Sequence, residues 1–485
     1  GEAESRGRIT NLSPADSGVI TAISEILHFL IYGQSLSLGF NSSPALTTTP
    51  LNFARMFAGG VRPYDNSGDE SVIYASLQPL QEATSGAVVA GTGSVSGSTL
   101  TITDHPAYYA NFAVGQYLSV GPVGTKIVAL GTGTGGAGTY TLNNSATVSS
   151  RLILAGPGAI TGGGGGQTIA YSAAQMVAQL LLDEDGIDLL AANQKLLFSA
   201  SGQVGTQFNG INKGTPPFNR LKNDVTYGAS VSGGTGKTYA ALASLLLEGE
   251  SDYSIGTTYA GYMDFSRQFR LDLEEHVKTL VGINRNMSLI SYQTSTHLKY
   301  SRPAPDIALA QLALTDVDAD YHAMASPTYS DGVHLSNLGE LTLGAYFGVA
   351  MKRWFFDGVK PQPIKAIGTY KLNARNVVIE FSVPSATPLV FDIDHFIQAN
   401  QGFTMATSGG SDISIASVAI VGTNKIRLTA SSDIPAGAEW RYAWLGDANK
   451  GYGCVRDQQG SSMIYDRGGR NIPLHNWLPI CKGAI

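Results

Sequence analysis

Charge is scarce in this chain. Asp, Glu, Lys and Arg make up 14% of the 485 residues, against roughly 25% in an average globular protein. The 31 basic and 37 acidic side chains leave a net charge of -6, which offers no basic footprint for nucleic acid or for an anionic membrane. Cysteine is rarer still, with Cys454 and Cys481 alone; two make neither a disulfide framework nor a zinc site and read as ordinary thiols. No apolar run approaches the roughly 18 residues of a membrane span. The opening Gly-Glu-Ala-Glu-Ser-Arg-Gly-Arg resembles no signal peptide, so work outside a cell would require release by lysis, assembly into a particle, or earlier processing. What abounds is glycine, at 58 residues. With so little charge, that suits a rigid, β-rich extracellular protein, and a polysaccharide or other weakly charged ligand stays open.

Texture along the chain separates its parts. Residues 1–20 read as a polar arm. Residues 26–33 are an apolar, aromatic-rich run of strand length that stops abruptly at Gly33-Gln34-Ser35, as a buried strand of a parallel sheet does. Residues 87–161 are Gly-, Ser-, Thr- and Val-rich with period-two runs such as Ser98–Thr103 and Thr139–Leu142, the pattern of a small all-β module. Five glycines, 162–166, read as a hinge back into the interrupted domain. Helical periodicity over 173–182 and 262–280 then alternates with strand-like runs at 195–200, 241–247 and 287–292. Helices are also expected over 306–314 and from Asn337, with Glu340 at capping-box spacing, to about Trp354. Alternation of this kind implies a parallel sheet covered on both faces, over 21–86 and 162–360. Residues 361–485 return to short strands between turns, a β-sandwich-like domain.

Three polar, glycine-punctuated segments follow three of the buried strands, and Asp331 and His334 precede the last helix. In open α/β sheets such strand ends converge on one crevice. A serine there needs a base to take its proton and a third group to orient the base. Ser35 can be the nucleophile, His334 the base, and Asp331, three residues earlier, the acceptor of the other ring N–H. Backbone amides after Gly202 or Gly205 can stabilise an oxyanion. Gly233-Gly234-Thr235-Gly236-Lys237-Thr238 approximates a phosphate-binding loop, but it has Val231 where that loop needs glycine and precedes its strand. Asp316, Asp318 and Asp320 lack the glycine and terminal glutamate of a calcium loop and read as a solvated turn. No cofactor and no metal are expected.

The four segments, Gly33-Gln34-Ser35-Leu36, Gly202-Gln203-Val204-Gly205-Thr206, Gly249-Glu250-Ser251-Asp252 and Asp331-Gly332-Val333-His334, resemble in order the sequence blocks of SGNH hydrolases. The likeness is greatest to carbohydrate O-acetylesterases that carry Gly-Gln-Ser, and it covers residues 25–85 and 165–355. It implies an α/β, three-layer parallel-sheet fold and a Ser35–His334–Asp331 triad. The oxyanion would be held by the Ser35 N–H, the Gly205 N–H and a side chain of the third block, Ser251 where many members have Asn. Asn209 or Asn212 is the alternative to Ser251, and Gly202 the alternative to Gly205. Gln34, Glu250, Asp252 and Tyr253 are expected at the substrate. Residues 131–142 resemble a β module of bacteriophage tail fibres. That resemblance implies a virion tail or extracellular setting, a bacterial surface polysaccharide as substrate, other tail proteins as partners and a homotrimer, although no heptad supports the trimer. The competing readings are a non-catalytic glycan-binding tail protein and an esterase of small soluble esters.

Overall fold

Every one of the eight residues Ile26–Gly33 (β1) is buried, and the reason is its place in the sheet. A strand flanked on both edges and covered on both faces has no polar side to show, so its sequence is a continuous apolar run. In the computed structural model, which describes residues 24–42, 45–47, 49–65, 70–82, 89–105, 111–118, 120–122, 124–156, 166–282, 286–325, 332–466 and 471–485, β1 lies at the centre of a seven-stranded sheet. Its other strands are Leu51–Phe57 (β2), Leu77–Leu80 (β3), Lys195–Ala200 (β4), Tyr239–Leu247 (β5), Ser288–Tyr292 (β6) and Tyr321–Met324 (β7). The order is β7-β6-β5-β1-β4-β2-β3, parallel throughout except for β3, which runs antiparallel to β2.

Alternate side chains of β1 feed two separate cores. Leu27, Phe29 and Ile31 pack with Ala170–Asp185 (α1) and Asn337–Met351 (α5) on one face. Ile26, Leu30 and Tyr32 pack on the other with Pro216–Gly234 (α2), Tyr259–Val281 (α3) and Asp306–Val317 (α4). Three layers result, helix on sheet on helix.

Several elements differ from the sequence reading. Periodicity singled out neither α2 nor the strands β3 and β7. The first is opened by Thr215, whose hydroxyl accepts from the Phe218 N–H, and by two prolines in the first turn, and it ends in the glycines of the phosphate-loop look-alike. The cap of α5 is Ser336, not Asn337; its Oγ accepts from the Gly339 N–H at 3.1 Å, while Glu340 is buried inside the helix packing and closes no capping box. Nor are Asp318 and Asp320 a solvated turn, since both lie 3.6 Å from the Arg270 guanidinium. The arm at 1–20 and most of the glycine hinge, 162–165, fall outside the described residues.

Residues 89–156 form a separate antiparallel unit. Two long strands, Val89–Asp104 and Gly138–Gly156, pair with each other and carry the short strands Tyr117–Leu118 and Ile127–Leu130. Its core of Val89, Leu100, Ile102, Tyr140, Ile153 and neighbours belongs to it alone. Beyond residue 360, two four-stranded antiparallel sheets share one hydrophobic core. Here Cys454 and Cys481 are buried, unpaired thiols. This C-terminal unit docks onto the α/β layers: Tyr465 and Leu474 pack with Met176, Leu180 and Leu341, and Gln293 exchanges two hydrogen bonds with the Ile480 backbone. No described helix is long and apolar enough to cross a membrane.

Candidate active site

Strand order decides where the polar segments meet. The chain leaves β1 to build one side of the sheet and returns to build the other, so β4 and β5 flank β1. Their following loops converge at the carboxyl ends of the three strands, the position where ligands bind in such sheets.

Ser35 opens a single 3₁₀ turn, Ser35–Leu38, which leaves its N–H without a partner inside the turn. Two residues make this geometry possible. Gly33 has φ +135°, and a Cβ there would stand 2.1 Å from the Leu247 carbonyl oxygen. Gly202 lies so close that a Cβ would stand 2.0 Å from Ser37 Oγ and 2.4 Å from the Gly33 oxygen. The backbones of the first and second blocks therefore touch, joined by the Gln203 N–H donating to the Gly33 oxygen at 2.9 Å.

His334 comes from the loop before α5, 299 residues along the chain, and its Nε2 sits 2.8 Å from Ser35 Oγ. Phe40, delivered by the same turn as Ser35, packs on the imidazole with ring centres 4.8 Å apart. Asp331 lies outside the described residues. Gly332, the next residue, is at φ +93° and packs on the Asn449 side chain, part of a C-terminal hairpin that also accepts from the Lys299 N–H and donates to the Ser295 oxygen.

The four residues expected at the substrate have other work. Gln34 is buried and its Oε1 accepts from the Ser251 N–H at 2.9 Å, pinning the third block to the first. Glu250, fully buried, accepts from the Ser295 and Thr296 N–H groups at 3.3 and 3.1 Å and from the Thr296 hydroxyl. Asp252 accepts from the Phe208 N–H at 3.0 Å and from Thr257 Oγ1 at 2.9 Å. Tyr253 bonds Thr294 Oγ1 and accepts from the Ala308 N–H. All four side chains are buried and hydrogen-bonded to groups of the surrounding loops. Burial, reinforced by the Asp252 carboxyl, holds the neighbouring Glu248 carboxyl well above its usual range.

For the oxyanion donors, Gly202 is the glycine packed on the nucleophile's turn. Gly205 is exposed at φ +69°, with open space where a Cβ would be. Ser251 is half-buried, with its N–H taken by Gln34. Asn209 is exposed, and Asn212 is half-buried, its backbone oxygen accepting from the Thr215 hydroxyl.

Sequence reasoning missed the second block's supports. Arg220 Nη2 donates to the Gly202 oxygen at 2.8 Å and to Gln203 Oε1 at 3.0 Å. Asp224 accepts from the Ser201 hydroxyl and, at 2.5 Å, from Tyr74 OH; burial pushes its carboxyl up to about 6. Both lie one turn apart on α2, so recognising that helix was the signal needed. Among the described residues no group of three or more His, Cys, Asp or Glu is placed to hold a metal.

No family model matches the sequence, and no curated protein matches it. Solved structures do show likeness. A carbohydrate acetylesterase from Xanthomonas citri is 11% identical, over 90% of this chain and 99% of that one, with a TM-score of 0.42. NanS is 13% identical over 64% of this chain and 80% of that one, at 0.34. A protein from Arabidopsis thaliana is 17% identical over 39% and 69%, at 0.29. Likenesses this distant assign no activity.

Proposed function

We propose that this protein is a serine esterase that removes O-acetyl groups from a bacterial surface polysaccharide. The observation that carries the reading is the contact of Ser35 Oγ with His334 Nε2 at 2.8 Å, at the convergence of three strand ends. In the first step Ser35 Oγ attacks the acetyl carbonyl carbon and its proton passes to His334 Nε2. The oxyanion so formed is met by the Ser35 N–H and by an amide of the second block, with Ser251 at its rim. Collapse breaks the ester bond, and His334 returns the proton to the departing sugar hydroxyl. Water then attacks the acetyl-serine, giving its proton to His334, and acetate leaves as Ser35 recovers its own. Asp331 is assigned the orienting of His334.

The low charge of the chain suits a glycan partner, and the resemblance of the inserted module to tail-fibre modules suggests a bacteriophage tail protein acting outside the cell. Acetate release from purified O-acetylated capsules and O-antigens tests the reading. Ser35→Ala and His334→Ala should each cost several orders of magnitude in kcat, and by similar factors, because residues acting as a unit are non-additive. Near-normal turnover by folded Ser35→Ala protein would overturn the assignment. Binding of acetylated glycan without acetate release would instead mark a glycan-binding protein.

A further inference from the structure

The chemistry above leaves one cleft unused. It lies between the end of β7, the length of α5 and the C-terminal unit, and its volume is about 540 Å³, within the range of small-molecule sites. Ser336, the cap of α5, lines it, and that residue is only two along the chain from His334, at most about 7 Å away in Cα spacing. Neither Ser35 nor His334 lines it.

Its lining has a definite character. Phe396 and Trp477 meet edge to face with ring centres 4.9 Å apart, both half-buried and so offering ring surface to the cleft. The loop bearing Phe396 also holds out Ile393 and Ile397, each about three-quarters exposed (75% and 74%). Asn476 and His475 stand on the same side as Trp477, and His322 of β7 faces them from the α/β layers. The imidazole of His322 is 4% exposed, and its Nδ1 has no hydrogen-bond partner among the described residues. Lys, Arg, Asp and Glu are all missing from the described lining.

Aromatic faces carry negative charge density that attracts the C–H-rich face of a pyranose. Neutral donors and acceptors around them suit hydroxyls. With no Lys, Arg, Asp or Glu among the described lining residues, an anionic sugar would find no compensating charge from them. We propose that this cleft is a subsite for an uncharged sugar residue of the polymer whose acetyl ester is cut at Ser35. The proposal rests on the esterase reading for the identity of that polymer, but not for the binding itself.

The test measures binding apart from catalysis. Intact protein, Trp477→Ala and Phe396→Ala are applied to immobilised neutral oligosaccharides (gluco-, manno- and galacto-configured) and to uronic- and sialic-acid oligosaccharides, all free of acetyl groups. Melting temperatures serve as the folding control, and the second variant guards against misfolding of the first. The expected result is retention of a neutral oligosaccharide, weakened tenfold or more by either substitution in folded protein. Retention of acidic glycans alone, retention unchanged in both folded variants, or no retention of any glycan would overturn the proposal. The esterase reading is tested in parallel by Ser35-dependent hydrolysis of nitrophenyl acetate by the intact chain. Failure there with glycan retention intact would sink the esterase and leave the subsite standing.

Discussion

Gly33→Ala is the substitution through which fold and chemistry can be tested together. The new Cβ would lie 2.1 Å from the Leu247 oxygen and 2.5 Å from its carbon, whereas even close C···O contacts in proteins are about 3.3 Å or more. Strands β1 and β5 must therefore part by roughly 1 Å at their carboxyl ends. That movement weakens the Gln34 N–H bond to the Leu247 oxygen, 3.0 Å long, at about 1–3 kcal/mol for a buried donor. Overpacking adds about 1–3 kcal/mol, and alanine at a φ of +135° adds a similar strain. The expected loss is of the order of 3–9 kcal/mol, a large part of the 5–15 kcal/mol that holds a domain together. Because Ser35 follows two residues later, a 1 Å displacement should also lower kcat/KM by about a hundredfold in whatever protein remains folded. Gly205→Ala is the control: its φ of +69° is strained but nothing lies within 4 Å of a Cβ, so about 1 kcal/mol is expected. Urea unfolding of both variants, with nitrophenyl acetate kinetics, reads out the difference. A Gly33→Ala protein within 1 kcal/mol of wild type and fully active would refute the close approach of the two strands, and with it the geometry assigned to Ser35.

Other perturbations probe the loop supports and the insert. Asp224, lifted by burial from 3.8 to about 6, contributes stability that is complete below about pH 4 and is lost as pH rises through 6, by about 3 kcal/mol. Urea unfolding of wild type and Asp224→Asn from pH 4 to 7 should show the difference between them moving by that amount, with wild type losing ground as pH rises; a pH-independent difference would count against a buried titrating carboxyl. Gln34→Leu removes the acceptor for the Ser251 N–H and should cost about 1–3 kcal/mol by thermal or urea unfolding, together with a drop in kcat. Replacing residues 89–156 by a Gly-Ser linker should leave nitrophenyl acetate turnover intact, since that unit has its own core; loss of folding on the exchange would show that it completes the α/β layers.

How much was legible beforehand depended on the kind of signal. β1, β4 and β5 were readable because strands covered on both faces must be apolar throughout. The Ser35–His334 pairing was readable as an ordered set of polar segments at strand ends. By contrast, β3 has four residues, LQPL, only one of them buried, and an edge strand of that length carries no periodic signature. α2 was hidden because its buried positions include Gly228, Ser232 and Asp224, which do not register as an apolar stripe. The polar residues of the third block illustrate a different difficulty. Glu250 and Asp252 are polar residues in a functional loop, and the sequence does not say whether such a group faces the ligand or holds the loop's own amides. Only the packing of Ser295, Thr296 and Phe208 around them decides it.

The central place of β1 has a consequence for how the chain is made. Of its two neighbours, β4 begins at Lys195 and β5 at Tyr239, so 206 residues separate Gly33 from the start of the second. At the roughly 5–20 residues per second of translation, an eight-residue, wholly apolar strand waits some 10–40 seconds on the ribosome before both its edges can be paired. Non-local pairing of this sort is intrinsically slow, and an unpaired apolar strand invites association with other chains. Meanwhile the module at 89–156, whose strands pair locally, can fold as soon as it emerges. Newly made protein should thus pass through a stage with a finished insert and an open α/β layer, dependent on chaperones until the last third of the chain arrives.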